Sequence, residues 1–492
     1  MDFAKFQKKL QQDKNFIYAD TLIGDNFNII KSFLKLKANF NDIVLLESSD
    51  KINNRGRYSV IALSPDAKWI FENEEVTYKD LVRDSEVKVK TEPIADLKAV
   101  IARDKIDDFA DMPVMAAGWY GFLGYDMVKY YDNINIQTKG DIIPDSYFIR
   151  PELIIIFDTK EQKLHLSLPI WLPFDTKKQF KQKAVLFDKV SSLLVFDNDN
   201  DADKLASNTG DLQFDFKDVP SAEDYEQIVS DCKEHIKSGE VFQIVPSRRF
   251  TTDFQYPADA FYRALRLINP SPFLFYFGFD DFVISGSSPE IMVRIEGDNV
   301  VIRPLAGTRK RGVDQEQDKL IANELLADPK EVAEHLMLLD LGRNDVGRVA
   351  CASSVKVTKK MQVEYYSHVM HISSTVEGKL RPELSALDAL LAGFPAGTVT
   401  GAPKIRAMEI LADIETVKRS FYSGCIGYFS ANAENMDMAI TLRTALIKDS
   451  KLYIQSGAGV VFDSDPKAER QETEKKAAAL IQACKYAGKF TN

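Results

Sequence analysis

A chain of 492 residues and 55.5 kDa has material for two large lobes or about three domains, and it can bury an extensive core. Its 45% hydrophobic and 28% charged residues exclude disordered, collagen-like and disulfide-scaffold classes. With 63 Lys and Arg against 73 Asp and Glu the net charge is −10, which makes nucleic acid and anionic membranes poor partners.

In chain order, the opening MDFAKFQKKLQQDKNF interleaves charges with apolar residues and has no apolar h-region. Neither a secretory signal nor a membrane span is expected, and a cytoplasmic protein is. From Ile43 to about Phe196, runs such as IVLLES, RYSVIAL, KWIFEN, YFIRPELIIIFDTKEQKLHLSL and IWLPF alternate with turns and predict antiparallel strands. Asp197 to about Ser221 is acidic and polar, the composition of a linker or long surface loop. The expected division is therefore an N-terminal region 1–196, a connecting segment 197–221 and a C-terminal region 222–492. The connecting segment is not a calcium loop, because Ala202 and Asn208 stand where that loop needs Gly and Glu.

Beyond the boundary, helices are predicted over Ala222–Ser238, Asp314–Leu341, Leu384–Phe394, Ala402–Asp413 and Pro466–Tyr486. They alternate with strands such as VFQIVPSRRF, FLFYFGF, DFVISGS, NVVIRPL, GCIGYFS, MAITLRTALI and LYIQSGAGVVF. Several neighbouring strands are joined by hairpin-length loops, too short for parallel crossovers, so the fold class is α+β with large antiparallel sheets.

Several motifs are incomplete. GTVTGAPK lacks the Lys-Ser/Thr step of a phosphate loop. SGCIG around Cys425 half-resembles an amidotransferase elbow, but Ser423 replaces its first Gly and no His follows Cys425. Cys232, Cys351, Cys425 and Cys484 are too scattered for a disulfide framework or a zinc site. Arg309, Lys310 and Arg311 read as a solvated turn.

Two acidic helix starts carry more. In DPKEVAEHLMLLDLGRND, Asp328 is the N-cap, Pro329 the first helical residue, and Glu331 the partner of a capping box, with Glu334 one turn on. In DSDPKAERQETEKK, Asp465 and Pro466 open a helix on which Glu469 and Glu472 repeat the spacing. A solvated face is the common fate of such pairs. The alternative is Mg²⁺, which takes one or two protein carboxylates plus oxygens of an anionic substrate, so one Glu from each helix would suffice. The small-residue loops AGTR and SGAGV can offer backbone N–H groups to a carboxylate, and Arg443, inside the predicted strand AITLRTALI, needs a partner: a structural ion pair or a bidentate carboxylate. His371 on a probable strand is either a hydrogen-bonded core residue or a proton shuttle.

Taken in order, IRPLAGTRKRG, EHLMLLDLGRNDVGRV, GTVTGAPKIRAMEI, YSGCIGYFS and SGAGVVFDSDPKAERQETEKKA resemble the chorismate-utilising enzymes, and LLESSDKINNRGRYSVIALSPD resembles the regulatory segment of their anthranilate-forming branch. The resemblance implies two large stacked antiparallel sheets with peripheral helices. It implies Mg²⁺ held by Glu334 and Glu472, with Glu331 and Glu469 as supporting acids. Glu290 in GSSPEIMVR would be the general acid for the departing hydroxyl, and His371 would serve the later loss of pyruvate. Gly307, Thr308, Thr398, Tyr422, Arg443 and the backbone of Gly457, Ala458 and Gly459 would grip substrate oxygens.

In the water-using branches of this family the position of Gln243 is a Lys base, and in many aminodeoxychorismate synthases that of Ala306 is a Lys. Here neither amine is present, which leaves the branch making anthranilate and pyruvate from chorismate and ammonia, the first step of tryptophan synthesis. The resemblance also implies a separate glutamine amidotransferase subunit as ammonia source. It further implies feedback inhibition by tryptophan at Ser48, Pro272, Phe273 and Leu274, with Phe273-Leu274 in place of the usual Tyr-Met. The rival readings are an aminodeoxychorismate synthase component and a catalytically dead tryptophan sensor.

Overall fold

The strands Gly118–Leu123 and Cys425–Ser430 are buried at every position because both of their faces are covered. Trp119, Phe148 and Phe429 pack on one side with Met436 and Met438, beneath Leu97 of the helix Pro93–Arg103 and Leu387 of the helix Ala386–Gly393. The alternate residues Tyr120, Phe122, Ile426 and Tyr428 face the other way, into a second core shared with Val44, Val60, Ile154, Phe275, Phe277 and Leu446. That period of two is the sequence signature of two stacked sheets. The computed structural model describes residues 3–11, 13–48, 56–109, 111–136, 142–174, 178–194, 196, 214–366 and 369–491.

Every strand pairing is antiparallel among the described residues. One layer runs from Phe16–Ile23 and Lys163–Ile170 through Ile43–Glu47, Phe273–Gly278, Phe282–Ser288, Thr444–Lys448 and Lys451–Gly457 to Ser247–Asp253. The other runs from Ser85–Val89 through Gly118–Leu123, Cys425–Ser430, Asn435–Ile440, Ile291–Glu296 and Asn299–Ile302 to Val369–Lys379, which also pairs with Leu305–Lys310 and Lys356–Tyr365. The long strands Tyr58–Glu72 and Ser146–Asp158 belong to both layers and slip register between Pro65 and Ala67, where one layer passes into the other.

Strands from either side of the expected boundary pair in both layers: Ile43–Glu47 with Phe273–Gly278, and Gly118–Leu123 with Cys425–Ser430. Of the expected connecting segment, residues 197–213 lie outside the described residues, and Lys217–Val219 is not loop but an edge strand on Ser247–Asp253.

Three further expectations are corrected. The pattern Asp314–Leu341 is two helices, Gln315–Ala327 and Pro329–Gly347, because Asp328 ends one and caps the next and Pro329 cannot continue a helix. MAITLRTALI is two strands, Asn435–Ile440 and Thr444–Lys448, and Arg443 sits in the turn between them at φ 48. The basic run is not a solvated turn: Arg309 pairs with Asp328 and Glu331, and Arg311 with Asp318.

Two helices cover opposite layers. Pro329–Gly347 packs Leu339 and Val346 on Val376, while Pro466–Tyr486 packs Ala477, Leu480 and Ala483 on Phe250, Leu452 and Ile454. Their acidic N-terminal turns approach each other over the cleft between the layers. No helix among the described residues is long and apolar enough to cross a membrane.

Candidate active site

The cleft is assembled from element ends. Glu290 lies between the strands Phe282–Ser288 and Ile291–Glu296, and only 6% of its surface is exposed. Burial pushes its carboxyl up to about 8, against the Leu305 N–H, the Thr398 hydroxyl and the Arg303 charge, all of which favour the anion. Thr398, on the short helix Gly397–Thr400, holds its Oγ1 at 3.3 and 3.4 Å from the two carboxyl oxygens. At neutral pH this acid keeps its proton.

His371 is cross-strand partner to Thr308. Its Nδ1 lies 3.0 Å from Thr308 Oγ1 and 3.1 Å from the Gly307 carbonyl oxygen, and Tyr366 meets its ring edge-on at 5.5 Å. A carbonyl can only accept, so the Nδ1 proton is fixed and Nε2 retains its lone pair. Burial, then the nearby Arg443 charge, lowers the imidazole to about 4, so it stands neutral and able to accept a proton. Gly307 adopts φ +63, and a Cβ there would lie 3.0 Å from a Glu331 carboxylate oxygen. Glycine lets the strand turn this carbonyl onto the histidine.

Gln243 pairs with Ala402 in a two-residue ribbon, and its Nε2 donates to Glu334 Oε1 at 3.3 Å. A Cβ on Gly459 would come within 2.5 Å of that Nε2, so the SGAGV turn presses backbone directly against the amide. With Nε2 engaged, Oε1 is a buried acceptor without a partner. Ala458 is fully buried, and the Gly457 carbonyl accepts from Lys476 Nζ at 3.0 Å.

Tyr422, also buried, lies beside Gly457, its hydroxyl pushed up by burial against the Arg419 charge. The Arg443 guanidinium makes no ion pair with any described residue, and desolvation lowers its pKa. An unpaired arginine in a cleft wall is a receptor for an anion.

The four glutamates share one rim, and each has a protein partner. Glu334 meets Gln243, Glu331 takes Arg309 at 2.8 Å, Glu472 takes Lys476 at 2.8 Å, and Glu469 is bonded to Ser464. Glu331 thus reaches Arg309 rather than closing the expected capping box, although Asp328 does cap the Lys330 and Glu331 N–H groups. Among the described residues, no three His, Cys, Asp or Glu side chains stand close enough to form a ready cation cage. The pairs are nevertheless coupled. Glu334 is raised by burial and by the charges of Glu331 and Glu472, and Glu469 by burial and by Glu472. Crowded carboxylates that offer only oxygen donors fit a hard divalent cation that completes its shell from substrate and water.

Two further contributors are not apparent from the motifs. Lys476 stands one helical turn beyond Glu472, a signal present in the i, i+4 spacing. Arg419 is fully buried, donates to the Val245 and Val399 carbonyls, bonds Glu415, and lies 5.7 Å from the Tyr422 ring. It ties together the segments carrying Gln243, Thr398 and Tyr422, which nothing in local sequence could reveal.

A second cavity, of about 550 Å³, is lined by Ser48, Pro272, Phe273 and Leu274 together with Arg294 and Tyr428. All four residues expected at an inhibitor site are therefore brought to one place. Ile291, the neighbour of Glu290, lines the same cavity.

These features coincide with a known class: the chorismate binding enzyme family matches residues 42–482, and the chain belongs to that family. It is 42% identical to anthranilate synthase component 1 of Cereibacter sphaeroides, covering 99% of this chain and 98% of the relative. It is 39% identical to anthranilate synthase component 1 of Aquifex aeolicus, covering 98% and 97%. The crystal structure of anthranilate synthase component I from Streptococcus pneumoniae superposes with a TM-score of 0.76 at 36% identity, covering 93% of this chain and 98% of that one. The stacked antiparallel architecture expected from the sequence is thus that of solved relatives.

Proposed function

We propose that this chain converts chorismate and ammonia to anthranilate and pyruvate as the large component of an anthranilate synthase. The observation that carries the reading is the pairing of a buried, proton-holding Glu290 with an amide, Gln243, where a water-activating base would otherwise stand. An amide cannot deprotonate water, whereas ammonia arrives with its own lone pair.

In this reading Arg443 and Tyr422 hold the enolpyruvyl carboxylate, and the backbone of Gly457 to Gly459 and Thr308 orient the ring. Ammonia forms its bond at C2, the ring double bonds shift, the C4 hydroxyl departs as water with the Glu290 proton, and the C2 ammonium gives up its extra proton to solvent, from which Glu290 is reprotonated. His371 Nε2 then accepts the C2 proton as the C3–O bond breaks, leaving the aromatic ring, and the departing enolpyruvate takes up a proton at its methylene carbon to become pyruvate. Glu334 and Glu472, supported by Glu331 and Glu469, would hold Mg²⁺, whose charge neutralises the ring carboxylate and withdraws electrons from the diene. A glutamine amidotransferase subunit would supply ammonia, in keeping with the name component 1 carried by the relatives. The 550 Å³ cavity would take tryptophan as feedback inhibitor.

The purified chain with chorismate, ammonium and Mg²⁺ is expected to yield fluorescent anthranilate and free pyruvate with no added lyase, and tryptophan is expected to lower that rate. Accumulation of an aminated product still bearing its enolpyruvyl group would favour an aminodeoxychorismate synthase and sink the reading. In the same assay Glu334→Gln should weaken apparent Mg²⁺ affinity by at least about tenfold, read as a right-shifted Mg²⁺ titration. An unchanged titration would remove Glu334 from the metal site.

A further inference from the structure

Of the 31 phenylalanines in the chain, only Phe242 and Phe462 are exposed among the described residues, at 71% and 59%. They flank the same short ladder. The Phe242 N–H donates to the Ala402 carbonyl at 2.7 Å, and Ile244 and Val460 exchange backbone hydrogen bonds at 3.1 and 2.8 Å, two residues before Phe462. Ile405, at the start of the helix Lys404–Ile414 and three residues beyond the Ala402 that pairs with Gln243, is a third exposed apolar residue. Beneath lies a packed platform of Val241, Ile244, Val460, Ala407, Ile410 and Leu411, so the patch is held rigidly.

Around it the charges are already paired, Glu240 with His235 and Arg406, and Arg406 with Glu409. Exposed aromatic anchors inside a satisfied polar rim are the anatomy of a protein interface. The patch is also continuous with the cleft. Side chains alternate along a strand, so the peptide that turns Phe242 outward turns Gln243 inward onto Glu334 and Gly459. Whatever covers Phe242 sits on the outer side of the wall that meets the incoming nucleophile.

Among the described residues no cysteine stands against a base that could activate it for releasing ammonia from glutamine: Cys232, Cys425 and Cys484 are buried, and the partly exposed Cys351 turns its Sγ to the Leu380 carbonyl at 3.8 Å. Burial pushes Cys425 far up and Cys232 and Cys484 up to about 12, where they remain unreactive at neutral pH. We propose that Phe242, Phe462 and Ile405 form the docking surface for a glutamine-hydrolysing chain, seated so that its ammonia is delivered at the Gln243 wall of the cleft. This rests on the anthranilate reading above, and it adds the face that receives the partner.

The test mixes the full chain with the glutamine amidotransferase chain of the same organism. Complex formation is followed by light scattering, and turnover is followed with glutamine and, separately, with ammonium. Phe462→Asp and Ile405→Asp should each weaken the complex by about tenfold or more and lower glutamine-dependent turnover in step. Their ammonium-dependent rates should stay within about twofold of the parent, since both side chains are solvent-exposed. Val87→Asp, on a remote exposed strand, should bind as the parent does. Retention of both complex and glutamine-dependent turnover in the two variants overturns the proposal. So does a homodimer that Phe462→Asp splits while the amidotransferase still binds. A parent chain that makes no anthranilate from ammonium would instead overturn the anthranilate reading, and the scattering measurement would still decide the surface.

Discussion

Glu290→Gln is expected to lower kcat by about a thousandfold at neutral pH, the middle of the range for losing a positioned general acid, with KM changed little. The amide keeps the shape and can still bond Thr398, so the loss isolates the proton. The pH profile supplies an independent check. Because burial raises the carboxyl to about 8, the parent enzyme should hold its rate through neutrality and lose it as pH rises through about 8. That limb should vanish in the variant. Stability follows with a defined sign. A folded-state value above the unfolded one, near 4.5, means the protonated side chain contributes fully below about 4.5, and that contribution is lost as pH rises through about 8. The variant escapes the loss, so thermal unfolding at pH 8 should show it at least as stable as the parent. A variant that unfolds early, or a rate that survives the substitution, would remove Glu290 from the chemistry.

The contrast between Glu290 and the helix glutamates shows what the sequence can carry. Asp-Pro followed by Glu at the third helical position is a local signal, so Glu334 and Glu472 could be set near helix starts from a dozen residues of text. The helix Pro466–Tyr486 has the bounds its pattern predicted. Glu290 is different. Its proton depends on burial and on Leu305, Thr398 and Arg303, contributed by separate elements, so nothing in GSSPEIMVR announces it. The same holds for the layers. Strand alternation was readable, but not that Tyr58–Glu72 and Ser146–Asp158 each serve two sheets, nor that strands pair across an acidic segment that looks like a boundary. The helices Lys178–Leu193 and Ala258–Ile268 are likewise hard to see in the sequence, because β-rich text lies on either side of them. Phe242 and Phe462 invert the usual rule: hydrophobic pattern predicts burial, and only the assembled surface reveals that these two are left out.

Arg443 presents the opposite balance from a packing residue. It closes the turn between Asn435–Ile440 and Thr444–Lys448 at a φ of 48, a conformation that L residues adopt reluctantly, and its guanidinium has no ion-pair partner among the described residues. Its main chain does serve the fold, since the Arg443 carbonyl accepts from the Ser287 N–H at 3.1 Å, but that bond survives any change of side chain. The charged end therefore costs stability in the free protein and is returned only when an anion arrives. Arg443→Ala should raise the unfolding temperature or leave it unchanged, while kcat/KM for chorismate falls by a hundredfold or more. That fall corresponds to about 3 kcal/mol, the worth of one or two charge-assisted hydrogen bonds. Arg443→Lys tests the geometry: an ammonium keeps the charge but loses the planar fork, so it should recover less than about a tenth of the parental kcat/KM. A loss of activity that tracks a loss of stability would mean that Arg443 holds the turn. A gain in stability with the activity gone would mark it as a receptor kept waiting for the substrate carboxylate, at the protein's own expense.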